Sequence, residues 1–173
     1  SSKMKILIKN GYIVNENKIF ESDILVNGEL IEKIDKNISS TDIDKVIDCE
    51  GSLILPGIID DQVHFREPGY PKKATIFSES RAAVAGGITS YFEMPNTNPS
   101  TTTIESLNHK FKIASTSSLA NYSFMFGGTN QNINEVKKLP EHEVPGIKLF
   151  LGSSTGNMLV DDYDVVEKLF EIS

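Results

Sequence analysis

The sequence predicts an α/β chain, with a small β-layer over residues 1–55 followed by strand–helix repeats over residues 56–173. Three observations predict it. Up to Leu55, β-branched and apolar residues come in short alternating runs broken by Asn-Gly pairs. After Pro56-Gly57, strand-like runs alternate with helix-forming segments at intervals of roughly 25–35 residues, the rhythm of parallel βα architecture. Polar residues then cluster where the predicted strands end.

In order along the chain, KILIKNGYIV carries strand residues around Asn10-Gly11, a hairpin-type turn signal. DILVNGELIEKID repeats the device around Asn27-Gly28, and DKVIDCEGSLILPG supplies further short strands. Together they read as a small β-sandwich-like segment. IIDDQVHF is the first strand of the repeats. Ala74 to Ala85 reads as a helix stopped by Gly86-Gly87. TSYFEMP is a strand, and STTTIESLNHKFKIAS is a helix with Ser100 or a following Thr as N-cap. NYSFMFGGT is a strand, INEVKKLPE a short helix, GIKLFLG a strand. DDYDVVEKLFEIS is a helix opening on acids. Four β–α units result. A doubly wound sheet calls for a Gly-rich phosphate turn after its first strand, and REPGYPK is no such turn. A (β/α)8 barrel calls for eight units in about 250 residues, of which the sequence supplies half.

Composition narrows the function classes. The chain is 39% hydrophobic with a net charge of −7 and no Lys/Arg cluster, which disfavours nucleic acid or an anionic membrane as partner. Cys49 is the only cysteine, so no internal disulfide forms. No apolar run approaches the roughly 20 residues of a spanning helix, and the expected address is the cytoplasm.

In a barrel the active site lies at the C-terminal ends of the strands. Strand one ends in Gln62, His64 and Arg66, alternate residues that would share one side. Strand two ends at Glu93-Met94-Pro95-Asn96, strand three at Gly127-Gly128-Thr129-Asn130, and strand four carries Lys148 before Gly152-Ser153-Ser154-Thr155. A lone imidazole specifies no metal, and His109 and His142 read as surface residues. Arg66 suits bidentate capture of a carboxylate, although a salt bridge to Glu67 is the plainer reading. Asn96 fits a turn as well as a site. Lys148, between Ile147, Leu149 and Phe150, reads as a buried lysine that must be paired, depressed in pKa or chemically changed.

LPGIIDDQVHFREPG, AGGITSYFEMPNTNP and PGIKLFLGSSTGN resemble, in order and over nearly the whole chain, the cyclic amidohydrolases and most closely the dihydroorotases. The resemblance implies an N-terminal portion of a metal-dependent-hydrolase-type (β/α)8 barrel preceded by a β-sandwich segment. It implies a reversible, zinc-dependent opening of the cyclic amide of dihydroorotate to N-carbamoyl-aspartate in pyrimidine biosynthesis. It also implies a homo-oligomer when full length. His64 matches the second histidine of the family's strand-one metal motif. Arg66 and Asn96 match the residues that hold the substrate carboxylate. Lys148 matches a lysine that many members carbamylate to bridge two zinc ions, and Asp60 lies next to the site.

One departure stands out. The family's strand one carries His-x-His, and here Gln62 takes the first place. A neutral amide oxygen is a weaker zinc ligand than imidazole, which leaves one metal, two with one bound loosely, or none. Asp61 points to the other side unless the strand bulges. The general-base aspartate and further histidine ligands are expected beyond Ser173, so residues 1–173 alone are expected to be inactive. Two alternatives stay open: a dihydropyrimidinase- or allantoinase-type amidohydrolase, and a metal-free, non-catalytic partner protein.

Overall fold

The computed structural model describes residues 3–152 and 156–172; Ser153, Ser154 and Thr155, expected at the end of strand four, lie outside the described residues. The chain forms two compact units, Ser1–Pro56 and Gly57–Ser173. It is α/β, with a mixed sheet in the first unit and parallel strands in the second. No helix among the described residues is long and apolar enough to cross a membrane.

The first unit is a single five-stranded sheet of β1 (Lys5–Asn15), β2 (Lys18–Asn27), β3 (Leu30–Asp35), β4 (Lys45–Asp48) and β5 (Leu53–Ile54). The order is β3-β2-β1-β4, with β5 also on β1. The two hairpins β1–β2 and β2–β3 are antiparallel, and β4 and β5 run parallel to β1. Leu7, Ile13, Ile24 and Leu25 are buried, while β3 and β4 are exposed along their length. The sandwich expectation concerned two layers; the described residues of this unit make one sheet.

Asn10-Gly11 is a bulge, not the hairpin turn the sequence suggested. β1 runs straight through it, with a register shift between Ile8 and Gly11 and Asn10 at φ +57°. The reason lies on the neighbouring strands. Asp23 of β2 accepts from the Asn10 backbone N–H at 3.2 Å, and Asp48 of β4 accepts from its side-chain amide at 2.9 and 3.0 Å. An Asn-Gly pair supplies left-handed backbone to a turn or to a bulge equally well, and the two carboxylates decide for the bulge. The first hairpin instead closes over Glu16 and Asn17, both at positive φ.

The second unit runs β6 (Ile58–Val63), α1 (Ile76–Ala85), β7 (Ile88–Glu93), α2 (Ile104–Ser117), β8 (Asn121–Phe124), β9 (Phe126–Gly127), α3 (Ile133–Val136), β10 (Ile147–Lys148) and α4 (Tyr163–Glu171). β6, β7 and β8 are parallel neighbours in that order, and β9 pairs in parallel with β10. β8 and β9 are one run of chain interrupted at Met125. The Met125 N–H still reaches Glu93 O at 2.9 Å, and the Phe126 N–H reaches Gly146 O at 3.1 Å. Strand order therefore follows chain order without reversal.

The helices start where short polar side chains replace missing backbone partners. Thr75 and Thr103 form reciprocal caps with Ser78 and Ser106, and Asp162 caps α4. Carboxylates from other segments add to this: Glu67, in the loop after β6, accepts from the Ile76 N–H at 2.7 Å, and Glu135, on α3, from the Ile104 N–H at 3.0 Å. Phe65, Ile76, Tyr91, Leu107, Phe124, Phe126 and Leu169 lie in the core beneath. The phenol of Tyr91, hydrogen-bonded to Ser118 at 3.0 Å, is pushed up to about 12 by burial.

Candidate functional site

Strand β6 does not carry its alternation to the rim. Asp60 faces Tyr91 and Val63 faces Glu93, so β6 holds one residue more than β7 across that interval. The Gln62 N–H turns back onto Asp60 Oδ1 at 3.1 Å. This bulge meets the one condition under which Asp61 was a candidate, and it corrects the expectation that Gln62, His64 and Arg66 share a side by simple alternation. Asp61 and Gln62 are both exposed. Beyond Val63 the chain is no longer strand. Phe65 is buried against Tyr91 with ring centroids 4.4 Å apart, and Arg66 adopts φ +67°. A left-handed arginine costs on the order of 1–3 kcal/mol and turns the chain sharply outside the anchored Phe65.

The two motif loops pack on one another. The Asn98 N–H donates to Pro68 O at 3.1 Å, and the Tyr70 N–H to Arg66 O at 3.0 Å. Gly69 sits at φ +102° against the Asn98 backbone, where a Cβ would collide. His64 Nδ1 meets Asn96 Oδ1 at 2.9 Å. Since the Asn96 oxygen only accepts, His64 carries its proton on Nδ1, which leaves the Nε2 lone pair for a ligand and the Asn96 Nδ2 group to donate elsewhere. Desolvation holds the His64 pKa below the usual imidazole range, helped by the charges of Arg66, Lys148 and Lys110 and opposed by the Asn96 hydrogen bond. Arg66 and Lys148, far apart in sequence, thus bear electrostatically on the same ring.

Lys148 departs from expectation. It is half-buried rather than enclosed, and its ammonium lies 5.5 Å from the Phe150 ring centroid. β10 is only two residues long and pairs with β9 alone, so it lacks the cover an interior strand would give. The enclosed lysine is Lys110, on α2. It is fully buried, 2.7 Å from Glu93, and donates to Met94 O at 3.1 Å. Burial pushes the Glu93 carboxyl up and the Lys110 ammonium down, each opposed by its partner's charge. The sequence offered a signal in HKFKIAS, since Lys110 lies one helical turn from the buried Leu107 and Ala114. Gly127 and Gly128, read as part of the polar rim, are buried glycines where a Cβ would press on the side-chain ends of Met158 and Leu149. His109 and His142 are exposed.

Among the described residues no group of three or more His, Cys, Asp or Glu could hold a metal ion. His64 is a competent single ligand with its second nitrogen already oriented, the arrangement metal-binding histidines use, but a zinc site takes three or four protein donors.

The geometry defines an α/β protein whose polar side chains meet at the C-terminal ends of parallel strands, the position where such folds bind ligands. Residues 51–139, just over half of the chain, match the family model described as Dihydro-orotase-like, and the chain belongs to that family. It is 38% identical over 168 residues to a dihydroorotase of Methanosarcina acetivorans, covering 96% of this chain and 36% of that protein. It is 36% identical over 150 residues to an allantoinase of Desulfitobacterium hafniense, covering 86% of this chain and 33% of that one. Among solved structures, an L-hydantoinase (dihydropyrimidinase) from Arthrobacter aurescens superposes with a TM-score of 0.86 at 30% identity, over 96% of this chain and 37% of that one. The chain thus spans about a third of the length of these relatives.

Proposed function

We propose that the complete protein is a dihydroorotase, a cyclic amidohydrolase that interconverts dihydroorotate and N-carbamoyl-aspartate. The observation that carries the reading is the meeting of the FREPG and MPNTNP loops, with His64 bonded to Asn96 beside Arg66. Dihydroorotate bears a carboxylate next to its ring. Arg66 offers a planar fork for that group, and Asn96, its oxygen held by His64, presents its amide donors to the same anion. Binding through this handle orients the ring and contributes to rate by proximity. His64, Lys148 once carbamylated and, weakly if at all, Gln62 would hold zinc, with donors beyond those described completing the set. When bound, zinc polarises the ring carbonyl and activates water. In the forward direction water's oxygen bonds to the carbonyl carbon, the ring C–N bond breaks, and a proton passes to the nitrogen. Strand order that follows chain order supports a (β/α)8 barrel over a doubly wound sheet, whose order reverses at a switch point. The first unit would then be one layer of a sandwich, with residues 1–55 and 56–173 as separate domains.

The similarity to an allantoinase and a hydantoinase favours a second reading, a cyclic amidohydrolase for a ring without that carboxylate. Gln62 favours a third, a metal-free partner protein. One experiment separates them: metal content, and turnover of dihydroorotate, allantoin and hydantoin, for the complete protein and its Arg66→Ala variant. Dihydroorotase activity should be highest, and the variant should raise KM about a hundredfold with metal content unchanged. Turnover of allantoin without dihydroorotate sinks the first reading, and metal-free protein without turnover favours the third.

A further inference from the structure

The Glu93–Lys110 pair lies beneath the rim and reaches both of its halves. Lys110 Nζ is 2.7 Å from Glu93 Oε2, with both side chains out of water. The ammonium also donates to Met94 O at 3.1 Å, two residues before Asn96. The Met94 N–H in turn donates to Val63 O at 2.9 Å, directly before His64 in the chain. Neither Glu93 oxygen makes a hydrogen bond of good geometry, so the attraction is chiefly ionic. The helix that delivers Lys110 is itself fixed at its start by Thr103 and Glu135. Stability alone does not account for the charges, because two apolar residues of similar volume often replace a buried ion pair at no loss. Their placement does account for them, since the ammonium, held by the carboxylate, grips the Met94 peptide that bridges the roots of the two loops.

We propose that Glu93 and Lys110 are positioning residues that set Arg66 against Asn96 at the spacing a substrate carboxylate requires. This rests on the proposed function and adds to it two residues that touch no substrate. They act through the backbone of Met94 and Val63. Disturbing the pair should therefore loosen the grip on the carboxylate while leaving the bond-breaking step largely alone.

The test uses the complete protein and Glu93→Gln, which keeps shape and removes the charge. KM for dihydroorotate should rise about tenfold or more while kcat stays within about threefold. A crystal structure of the variant should show the contact between His64 Nδ1 and Asn96 Oδ1 opened from 2.9 Å. KM within twofold of the unaltered protein, kcat and KM worsening in step with thermal stability, or a contact still closed would each overturn the proposal. If the unaltered protein does not turn over dihydroorotate, the proposed function fails, and the crystal structure alone decides whether the pair positions the rim. Should Glu93→Gln fail to fold, the double variant Glu93→Leu with Lys110→Met leaves no unpaired charge and carries the same two measurements.

Discussion

In the first unit, carboxylates that shape the backbone sit next to water: Asp23 and Asp48 pin the Asn10 bulge, and Asp35 meets Lys33 with both side chains half in solvent. In the second unit, Glu93 and Lys110 do comparable work at no more than 1% exposure. The same pair of chemical groups therefore stands in two dielectric settings within one chain. The difference teaches where charge becomes structural. At the surface, water replaces a lost partner. In the core nothing does, and the remaining charge must be neutralised or hydrated at the expense of packing. The largest expected effect follows. Lys110→Met leaves Glu93 buried and unpaired, and should cost about 3–5 kcal/mol, read as a lowered midpoint of urea unfolding. Because Glu93 without its partner takes up a proton, the loss should shrink as pH falls. An unchanged midpoint would break the comparison at its stronger end.

The loops supply the next test. Gly69 stands at φ +102° with Asn98 where a side chain would go, so Gly69→Ala meets both backbone strain and collision. A loss of roughly 1–3 kcal/mol is expected, together with a weaker His64–Asn96 contact, since the same loop pair carries both. Gly51, also at positive φ but with open space around it, gives the contrast: alanine there meets strain without collision and should cost less. Equal losses would mean that conformation alone, and not the packing of one loop on the other, sets the cost.

Much of the fold was legible because it rests on local chemistry. Alternating apolar runs gave the strands; the cap of α2, expected at Ser100 or a following Thr, is Thr103, and the acids expected to open α4 include its cap, Asp162. His64, Arg66 and Asn96 were legible as a group through the resemblance carried by FREPG and MPNTNP. What was not legible depends on partners distant in sequence. Asn10-Gly11 reads as a turn until Asp23 and Asp48 are beside it. The β6 bulge depends on register with β7, which no pattern within IIDDQVHF reveals. Lysine burial was assigned to Lys148 from its apolar neighbours in the chain. In three dimensions that strand is short and half-covered, while Lys110, between His109 and Phe111 in sequence, is carried inward by the helix to meet Glu93.

His64 gives a pH-dependent test. Its pKa is lowered first by desolvation and then by Arg66, Lys148 and Lys110. A base depressed in the folded state binds fewer protons there than when unfolded. Its contribution to stability is therefore present above the unfolded value of about 6.5 and is lost as pH falls below it. In metal-stripped protein the ring should titrate below 6.5 by NMR, and Arg66→Ala should move the midpoint upward. A midpoint indifferent to Arg66 would separate the two side chains and weaken the site as drawn.

The smallest effect is expected at the other end of the comparison, at Lys33 and Asp35. Their charged atoms are 3.2 Å apart, yet each side chain is 55% exposed. The Asp35 pKa is lowered, first by its hydrogen bond from Lys33 and then by the Lys36 backbone amide, so the interaction exists at the level of protonation. It should still not register in stability. Water solvates either partner once the other is gone, the long lysine side chain gives up freedom to stay in place, and salt screens what attraction remains. Lys33→Ala should therefore leave the unfolding midpoint where it was, in low salt and high, while raising the Asp35 pKa toward its ordinary value. A loss on the scale of Lys110→Met would show that solvent exposure does not govern the worth of a charge pair in this chain, and the contrast between its two units would have to rest on something other than burial.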